Sequence, residues 1–563
     1  MSSIEKLAAT VTDWANQDPE SNYRKDALSL LQRIDDGDDS GVSLAQEAFG
    51  SRLAFGTAGI RGPMRGGPNG MNRLVISQTT AGVARYLKRE AEAATGSTLH
   101  VVVGFDGRHH SEMFARDTAE VLSGHGISVA LLPRLLPTPV LAFAVREETA
   151  TAGIMITASH NPAEDNGYKV YFGGRDEGSQ IIAPVDRDIE SHIQHVAGTE
   201  TWSTIPRSKD LISVLGVDIV EKYFLATLDA LDLPAPTASA PSVVYTAMHG
   251  VGGETFVAAL SKAGFLEPHL VKQQFHPDPD FPTVAFPNPE EKGALDLSFD
   301  KARSVDADLI VAHDPDADRL AVALPDVSES VGYRALTGNQ VGAIFGWYIA
   351  EKARSSGKTG TLANSLVSSP VLSKIAQHFG LDHEETLTGF KYVSRVENLI
   401  FGFEEALGYL VTPDVVRDKD GISAGLLMVS LAHSLASEGR SLWDYLHDIE
   451  ESVGAFASGQ VTIRLSPGTP GSTVTAALRE RDLSAIGSRS VKRRDDFLEG
   501  VGTFPNEDIL RYYLEDGTRV IARPSGTEPK VKVYIDTEGS TSSEARSTLQ
   551  EVESDINELI SSL

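Results

Sequence analysis

The chain has 563 residues, of which 41% are hydrophobic and 23% charged, so it is an ordinary globular sequence that is too long for one core. It contains no cysteine, which excludes disulfides, thiolate metal sites and thiol catalysis. Its formal net charge of −28 disfavours nucleic acid and anionic membranes as partners, and a phosphorylated small molecule would need a locally basic site.

The N-terminal 50 residues have the amphipathic pattern of helices, with a break at residues 35–39, and are predicted to pack on the first domain as an extension. They lack the basic and long apolar regions of a signal peptide, and later apolar runs are too short to span a bilayer, so we expect a cytoplasmic protein. A glycine-rich segment follows at residues 55–62, where backbone N–H groups and Arg61 could approach an anion. A helix through residues 76–94 and a strand at 99–103 are predicted next.

A polar loop then follows the apolar run at residues 153–156, which is typical of a buried strand. This loop, Thr-Ala-Ser-His-Asn-Pro, would deliver the Ser159 hydroxyl to the rim of a sheet. A capping serine in a polar turn is the alternative, and the G-x-S-x-G elbow of a hydrolase is absent. A serine that carries a phosphoryl group fits better, and Lys169 in the next predicted strand is close enough to share its site. The polar stretch from residue 186 to 209 is predicted to leave the domain.

Three aspartates alternate along the chain directly after a strand predicted at residues 307–312. In extended backbone, Asp314, Asp316 and Asp318 would point to the same side, where a cation would be needed to offset their repulsion. Hard oxygen ligands of this kind suit Mg²⁺. An EF-hand is excluded because its glycine and glutamate positions hold Arg319 and Pro325.

The C-terminal part, after residue 454, combines short strands with a final helix and is predicted to be a small α+β domain. Strands at residues 519–522 and 530–535 would hold the loop between them as a hairpin tip. The guanidinium, hydroxyls and glycine of that loop suit a phosphate that is held and not transferred. Further upstream, Lys391 could reach the same substrate, and Glu404 or Glu405 could accept hydrogen bonds from sugar hydroxyls.

These four motifs, in this order, resemble the phosphohexomutase (phosphoglucomutase/phosphomannomutase) family from about residue 55 to the C-terminus. The resemblance implies an α/β fold with four domains around a central cleft, three of them related α/β domains and the last an α+β domain. We expect the domains to span residues 1–208, 209–328, 329–452 and 453–563.

The resemblance also implies the role of each site residue. Ser159 would be the phosphoserine, and together with Asp314, Asp316 and Asp318 it would hold Mg²⁺. Arg61, His160 and Lys169 would line the transfer site, with Lys169 as the candidate general acid/base. The residues that would bind substrate are Thr57, Arg319, Lys391, Glu404, Arg523, Ser525, Gly526 and Thr527. The implied reaction interconverts a sugar 1-phosphate and a sugar 6-phosphate through a 1,6-bisphosphate, which also serves as activator.

One departure from the family pattern concerns the sugar. Many members have a serine two places after the sugar-reading glutamate, where this chain has Ala406, and the Phe-Pro-Asn-Pro-Glu run at residues 286–290 is similar to type-2 phosphoglucomutases and phosphopentomutases. Glucose 1-phosphate is the predicted substrate, with mannose or pentose phosphates as alternatives. A sugar 1,6-bisphosphate synthase, a catalytically silent sugar-phosphate binder and a divalent-cation sensor are the other hypotheses. The sequence does not predict the oligomeric state.

Overall fold

A computed structural model of the chain describes residues 3–56, 59–93, 98–236, 240–466, 469–481, 483–524 and 530–561. The chain divides into two compact units. Unit 1 comprises Met1–Ala335 and Gly408–Ser437, and unit 2 comprises Leu336–Leu407 and Glu438–Leu563. Among the described residues, no helix combines the length and the apolar character that crossing a membrane requires.

Three helices form the N-terminal extension of unit 1: α1 (Ser3–Gln17), α2 (Ser21–Asp35) and α3 (Asp39–Phe49). The predicted break lies between α2 and α3, where Gly37 has a φ of 72° and Asp38 caps α3 by accepting a hydrogen bond from the Ser40 N–H. Apolar residues of all three helices join the core of the first α/β domain. The extension therefore packs on that domain, as predicted.

The first α/β domain is built on a sheet with strand order β1-β5-β4-β2-β3-β7, with β6 paired to β5. Strands β2, β3, β4 and β7 are parallel neighbours, and β5 runs antiparallel to both β4 and β1. Its elements are β1 (Gly59–Pro63), α4 (Arg73–Ala93), β2 (His100–Phe105), α5 (Ser111–Gly124), β3 (Ser128–Leu131), α6 (Thr138–Glu147), β4 (Ala152–Ile156), β5 (Asp165–Phe172), β6 (Ser179–Gln180), α7 (Val185–Thr199) and β7 (Ile212–Val214).

Helix α7 corrects the prediction that residues 186–209 simply leave the domain. Its polar residues face solvent, whereas Ile189, Ile193 and Val196 follow helical spacing and are buried. The helix packs along α4 and so belongs to the first domain. Only three side chains of this mostly polar helix are buried, which is why the composition suggested that the chain leaves the domain here.

The second α/β domain has strand order β12-β11-β10-β8-β9. Strands β9, β8 and β10 are parallel, and β11 returns antiparallel beside β10, so the loop from β10 to β11 turns at the carboxyl edge of the parallel strands. The elements are α8 (Asp218–Leu231), β8 (Val243–Thr246), α9 (Gly252–Lys262), β9 (His269–Leu270), α10 (Asp296–Val305), β10 (Leu309–His313), β11 (Leu320–Pro325) and β12 (Tyr333–Ala335).

The third α/β stretch places the parallel strand β13 between β14 and β15. Its elements are α11 (Gly338–Ser355), β13 (Thr361–Ser365), α12 (Val371–Phe379), β14 (Asp382–Thr386), α13 (Phe390–Val393), β15 (Leu399–Glu404), β16 (Gly408–Leu410), α14 (Gly421–Ser437) and α15 (Leu442–Val453). Strand β16 and helix α14 belong to unit 1, where α14 packs against α9.

The C-terminal domain is an antiparallel sheet of order β17-β22-β21-β20-β19-β18 with helices beside it. The elements are β17 (Ala455–Arg464), α16 (Ser472–Glu480), β18 (Ala485–Ile486), β19 (Arg489–Asp496), β20 (Leu510–Leu514), β21 (Arg519–Pro524), β22 (Lys530–Gly539) and α17 (Ser542–Ser561). The predicted strands on either side of residues 525–529 are therefore present and paired as a hairpin. Within unit 2, this domain shares an apolar cluster with the third α/β domain, formed by Leu366, Val367, Leu387, Phe497, Ile509, Ile521 and Tyr534.

A buried ionic contact accompanies that cluster. Glu385 of β14 accepts hydrogen bonds from Arg511 Nη1 at 2.8 Å and from Arg519 Nη1 at 2.7 Å. Burial would raise the pKa of Glu385, but the two guanidinium groups lower it below the ordinary value of 4.5. Since its folded-state pKa is lowered, Glu385 adds stability above the unfolded-state pKa, and that stability is lost as the pH falls through the folded-state pKa.

We expect Glu385→Gln to destabilise unit 2 by about 3 kcal/mol at pH 7, because it leaves two largely buried arginines with one fewer counter-charge. Thermal unfolding at pH 7 and pH 4 would show a lower midpoint for the variant at pH 7 and a smaller difference at pH 4. The neighbouring Glu384 is exposed, so Glu384→Gln is the matched control. Equal melting of Glu385→Gln and wild type at pH 7 would refute a stabilising role for this contact.

Candidate active site

The serine loop leaves the carboxyl end of the fully buried strand β4. Ser159 is 4% exposed and has a φ of 54°, a left-handed conformation that side chains rarely adopt. Its N–H donates to Thr157 Oγ1 at 2.9 Å, which closes the start of the turn. Its hydroxyl donates to Asp314 Oδ2 at 3.0 Å and lies 3.2 Å from His160 Nδ1. The serine predicted to carry a phosphoryl group therefore contacts the predicted metal loop.

The aspartate loop is a turn, and the prediction of extended backbone was wrong. Ala317 has a φ of 54° and donates its N–H to the Asp314 carbonyl at 2.9 Å. The turn still gathers the carboxylates of Asp314, Asp316 and Asp318, which are at most 1% exposed and have oxygens that all lie within 4.8 Å of one another. The turn, and not an extended backbone, therefore brings the three carboxylates together.

The donor set of this loop suits a divalent cation. Asp316 Oδ1 and Asp318 Oδ1 are buried with no hydrogen-bond partner, and three carboxylates together offer the hard oxygens that such ions bind. Burial and the neighbouring Asp316 and Asp318 raise the pKa of Asp314 well above its usual range. The buried acidic triad could therefore bind a metal ion, which would offset this repulsion.

Cationic side chains surround the triad. Lys169 Nζ, from β5, donates to Asp316 Oδ2 at 2.8 Å and to Asp318 Oδ2 at 3.0 Å. Burial would lower the pKa of Lys169, but these two carboxylates raise it well above the usual value, so the amine is charged. Lys419 Nζ lies 3.2 Å from Asp318 Oδ2. These two lysines offset part of the negative charge of the buried triad.

His160 and two arginines complete the group in unit 1. Burial, followed by the charges of Arg319 and Arg61, lowers the pKa of His160 well below its usual value, so the ring is neutral at pH 7. Arg319 donates its N–H to Asp314 Oδ1 at 3.0 Å, and its Nη1 lies 3.6 Å from Glu290 Oε2. Arg61 lies on β1, opposite Gly167 of β5. The structure thus brings together all the predicted transfer-site and metal residues that it describes.

Sequence reasoning missed three side chains that contact this site. Lys419 lies beyond β16 in the run Arg-Asp-Lys-Asp-Gly, whose alternating charges were a usable signal. Thr138, at the start of α6, donates its hydroxyl to Asp316 Oδ2 at 2.7 Å. Arg108 donates to the Ser159 carbonyl at 2.7 Å. Their contacts join segments that are far apart in the chain.

The predicted sugar and phosphate residues lie in unit 2. Glu404 Oε1 accepts the Gly389 N–H at 2.7 Å, and Lys391 on α13 is 8% exposed. Glu405 instead accepts hydrogen bonds from the Ser365 and Ser368 hydroxyls at 3.1 and 2.8 Å. Both bonds are made to its Oε2 atom and lie within unit 2.

The hairpin between β21 and β22 also belongs to unit 2. Burial and the nearby Glu405 raise the pKa of Tyr534, whereas a hydrogen bond between its hydroxyl and Arg523 opposes that shift. Arg523 therefore contacts Tyr534, whose hydroxyl is also within range of the charges of Glu405 and Glu404. The other predicted binding residues, Thr57, Ser525, Gly526 and Thr527, lie outside the described residues.

Models of four protein-family domains match the chain. They are described as phosphoglucomutase/phosphomannomutase alpha/beta/alpha domains I, II and III, which match residues 52–199, 221–327 and 337–452, and the C-terminal domain, which matches residues 480–554. Three α/β domains and a C-terminal domain are what the sequence predicted, so the predicted fold class is confirmed.

Curated relatives extend over most of the chain. A protein of Haemophilus influenzae named "Probable phosphomannomutase" is 47% identical over 87% of this chain and 98% of its own length. A mouse phosphopentomutase is 36% identical over 87% of this chain and 84% of its own length. A Staphylococcus epidermidis phosphoglucomutase is 35% identical over 87% of this chain and 91% of its own length. The chain therefore belongs to the phosphoglucomutase/phosphomannomutase family of phosphosugar mutases.

Proposed function

We propose that the chain interconverts a sugar 1-phosphate and a sugar 6-phosphate, with Ser159 as the phosphoryl carrier. The observation that carries this proposal is the 3.0 Å contact between the Ser159 hydroxyl and Asp314 in a site with two lysines and two arginines. A phosphoserine at this position would add negative charge and three acceptor oxygens beside the carboxylate cluster. Nearby cations would be needed to offset the combined negative charge.

Two half-reactions make up the proposed cycle. In the first, the Oγ–P bond of phosphoserine breaks while a P–O bond forms to a free sugar hydroxyl, and the proton lost by that hydroxyl is balanced by the one that Ser159 Oγ gains. In the second, the other phosphoryl group of the bisphosphate returns to Ser159 and the proton moves back. Lys169 is the proposed proton carrier, and Nδ1 of the neutral His160 ring lies 3.2 Å from the serine Oγ.

Asp314, Asp316, Asp318 and Ser159 are the proposed ligands of Mg²⁺. When bound, the ion would neutralise charge on the phosphoryl group being transferred. The charged side chains of Lys169, Arg319 and Arg61 are proposed to hold and orient phosphoryl oxygens. Such positioning supplies much of the catalysis in phosphoryl transfer. The sugar 1,6-bisphosphate is the proposed activator, because it can phosphorylate a serine that has lost its phosphoryl group.

Unit 2 is proposed to supply substrate selection. Glu404, whose Oε1 accepts the Gly389 N–H, would also accept hydrogen bonds from sugar hydroxyls, whereas Glu405 is bonded to two serine hydroxyls. Lys391 and the loop with Arg523, Ser525, Gly526 and Thr527 would bind the phosphate that is not transferred. Thr57 and Arg319 are the proposed substrate contacts of unit 1.

Glucose 1-phosphate is the proposed substrate. A second candidate is mannose 1-phosphate, which the name of the 47% identical Haemophilus influenzae relative favours. The test is kcat/KM for glucose, mannose and ribose 1-phosphates, measured side by side with Mg²⁺ and catalytic bisphosphate. A lead for glucose supports the proposal, and a lead for another sugar replaces the substrate while leaving the carrier mechanism in place. Net accumulation of bisphosphate would point to a synthase.

Ala406 offers a graded test of sugar selection. Restoring the hydroxyl with Ala406→Ser is expected to change kcat/KM for any one hexose 1-phosphate by no more than about tenfold, because one hydrogen bond contributes roughly 0.5–1.5 kcal/mol net. Ala457→Ser, at a half-buried position of β17, is the control for adding a hydroxyl. A change of substrate preference far beyond tenfold would show that this position decides the sugar.

A further inference from the structure

Arg108 binds the main chain of the serine loop at four points. Its Nη2 donates to the carbonyl oxygens of Ser159 at 2.7 Å and Asn161 at 2.6 Å, and its Nη1 donates to those of Pro162 at 2.7 Å and Asp165 at 3.2 Å. These acceptors lie within seven consecutive residues, so one planar guanidinium group spans the entire loop. A lysine has the same charge but no rigid fork, and it could not reach all four.

The loop needs such support because Ser159 is held in a strained conformation. A left-handed φ is unfavourable for a residue with a side chain, and it persists only where the surroundings over-determine it. With that backbone conformation, Ser159 Oγ faces Asp314. A loop that relaxed toward an ordinary φ would turn this hydroxyl away from the aspartates.

Arg108 is itself fixed from both α/β domains of unit 1. Asp106 Oδ2 lies 3.4 Å from Arg108 Nε, and Asp106 Oδ1 accepts the Arg108 N–H at 3.0 Å and the Ser111 hydroxyl at 2.6 Å. From the second domain, the ring of Phe281 lies 5.0 Å from the guanidinium carbon. The side chain of Arg108 is 1% exposed, so water does not compete for its hydrogen bonds.

We propose that Arg108 is a positioning residue for phosphoryl transfer, which sets the orientation of Ser159 through the four carbonyls of its loop. This inference rests on the proposed role of Ser159 as phosphoryl carrier. The charges of Asp316 and Asp314 also act on the Arg108 guanidinium. Its hydrogen bonds go to the backbone of the serine loop, and Arg108→Lys keeps the charge while it removes the fork that makes those bonds. A residue that only stabilised the fold would lower the melting temperature and leave the turnover of the folded molecules unchanged.

The test is Arg108→Lys in the full chain, compared with wild type and with Arg116→Lys. Arg116 is an exposed residue of α5 that pairs with Glu112, so the control makes the same substitution in the same domain. We expect Arg108→Lys to lower kcat by about 30-fold, with KM for the sugar phosphate changed less than about twofold, because a small displacement of a reacting group has effects of this size. Hydrogen–deuterium exchange of residues 157–165 should rise in Arg108→Lys alone.

The outcomes separate this inference from the proposed function. Wild-type kcat together with wild-type exchange in a folded Arg108→Lys variant would overturn the positioning role. If wild type turns over no sugar phosphate, the proposed function fails, and the exchange comparison alone decides whether Arg108 holds the loop. If Arg108→Lys does not fold, Phe281→Leu takes its place, because it keeps the guanidinium and removes its aromatic cover. We then expect kcat to fall about threefold with unchanged KM, and an unchanged kcat would overturn the inference.

Discussion

Ser159→Ala is expected to lower kcat for sugar-phosphate interconversion by roughly 10⁴-fold or more, because it removes the atom that accepts and returns the phosphoryl group. The fold should persist, since the change deletes one hydroxyl whose partners in the described part of the chain are Asp314 and His160. Removing that hydroxyl leaves the aspartate triad and the cationic side chains in place. Sugar-phosphate binding by the variant, measured by calorimetry, should therefore remain within about threefold of wild type.

Two further measurements make the result specific. Intact mass spectrometry of wild type incubated with sugar 1,6-bisphosphate should show one added phosphoryl group, which Ser159→Ala should lack. Ser203→Ala, an exposed position of the same domain, should match wild type in both mass and activity. Turnover by Ser159→Ala above about one per cent of wild type would exclude a serine carrier. A wild-type chain that binds sugar phosphates without turning them over would instead favour a silent binding protein.

The parts of this site that could be predicted from sequence are those encoded by short local patterns. The apolar runs that became β4 and β10 are fully buried strands, and the polar residues that follow them lie at the carboxyl edge of their sheets. A parallel strand that is buried on both faces has a continuous apolar sequence. The polar loop that follows it is therefore easy to recognise. The positions of Ser159 and the aspartate triad follow from this pattern together with the order of the motifs.

The remaining features depend on contacts between distant segments. Lys419 reaches Asp318 across about a hundred residues of chain, and no local periodicity specifies that pairing. Arg108 follows a predicted strand and was given no role, because its guanidinium group bonds main-chain carbonyls, which every residue type has and which leave no signature in the sequence. The turn at Ala317 was mistaken for extended backbone because a left-handed alanine is uncommon. The chemical groups of the site can be predicted from sequence more readily than the backbone conformation that orients them.

Asp316→Asn is expected to reduce Mg²⁺-dependent kcat by about 10²–10³-fold, since metal ions contribute several kcal/mol of charge stabilisation and each 1.36 kcal/mol is tenfold in rate. The substitution preserves shape, and the amide oxygen can still accept the Thr138 hydroxyl. What it removes is one of the charges that a divalent cation would neutralise in the buried triad. Loss of this carboxylate should weaken metal binding without unfolding the domain.

Thermal unfolding supplies a readout that does not depend on turnover. Mg²⁺ should raise the melting temperature of wild type, because an ion that binds only the folded state stabilises it by mass action, and the rise should be largely absent in Asp316→Asn. Asp218→Asn, at an exposed position at the start of α8, should keep the full rise. An undiminished Mg²⁺ effect in Asp316→Asn would place the metal elsewhere. A larger rise with Ca²⁺ than with Mg²⁺ would favour a cation sensor, since a transfer site with few protein carboxylates and phosphoryl oxygens is suited to the smaller ion.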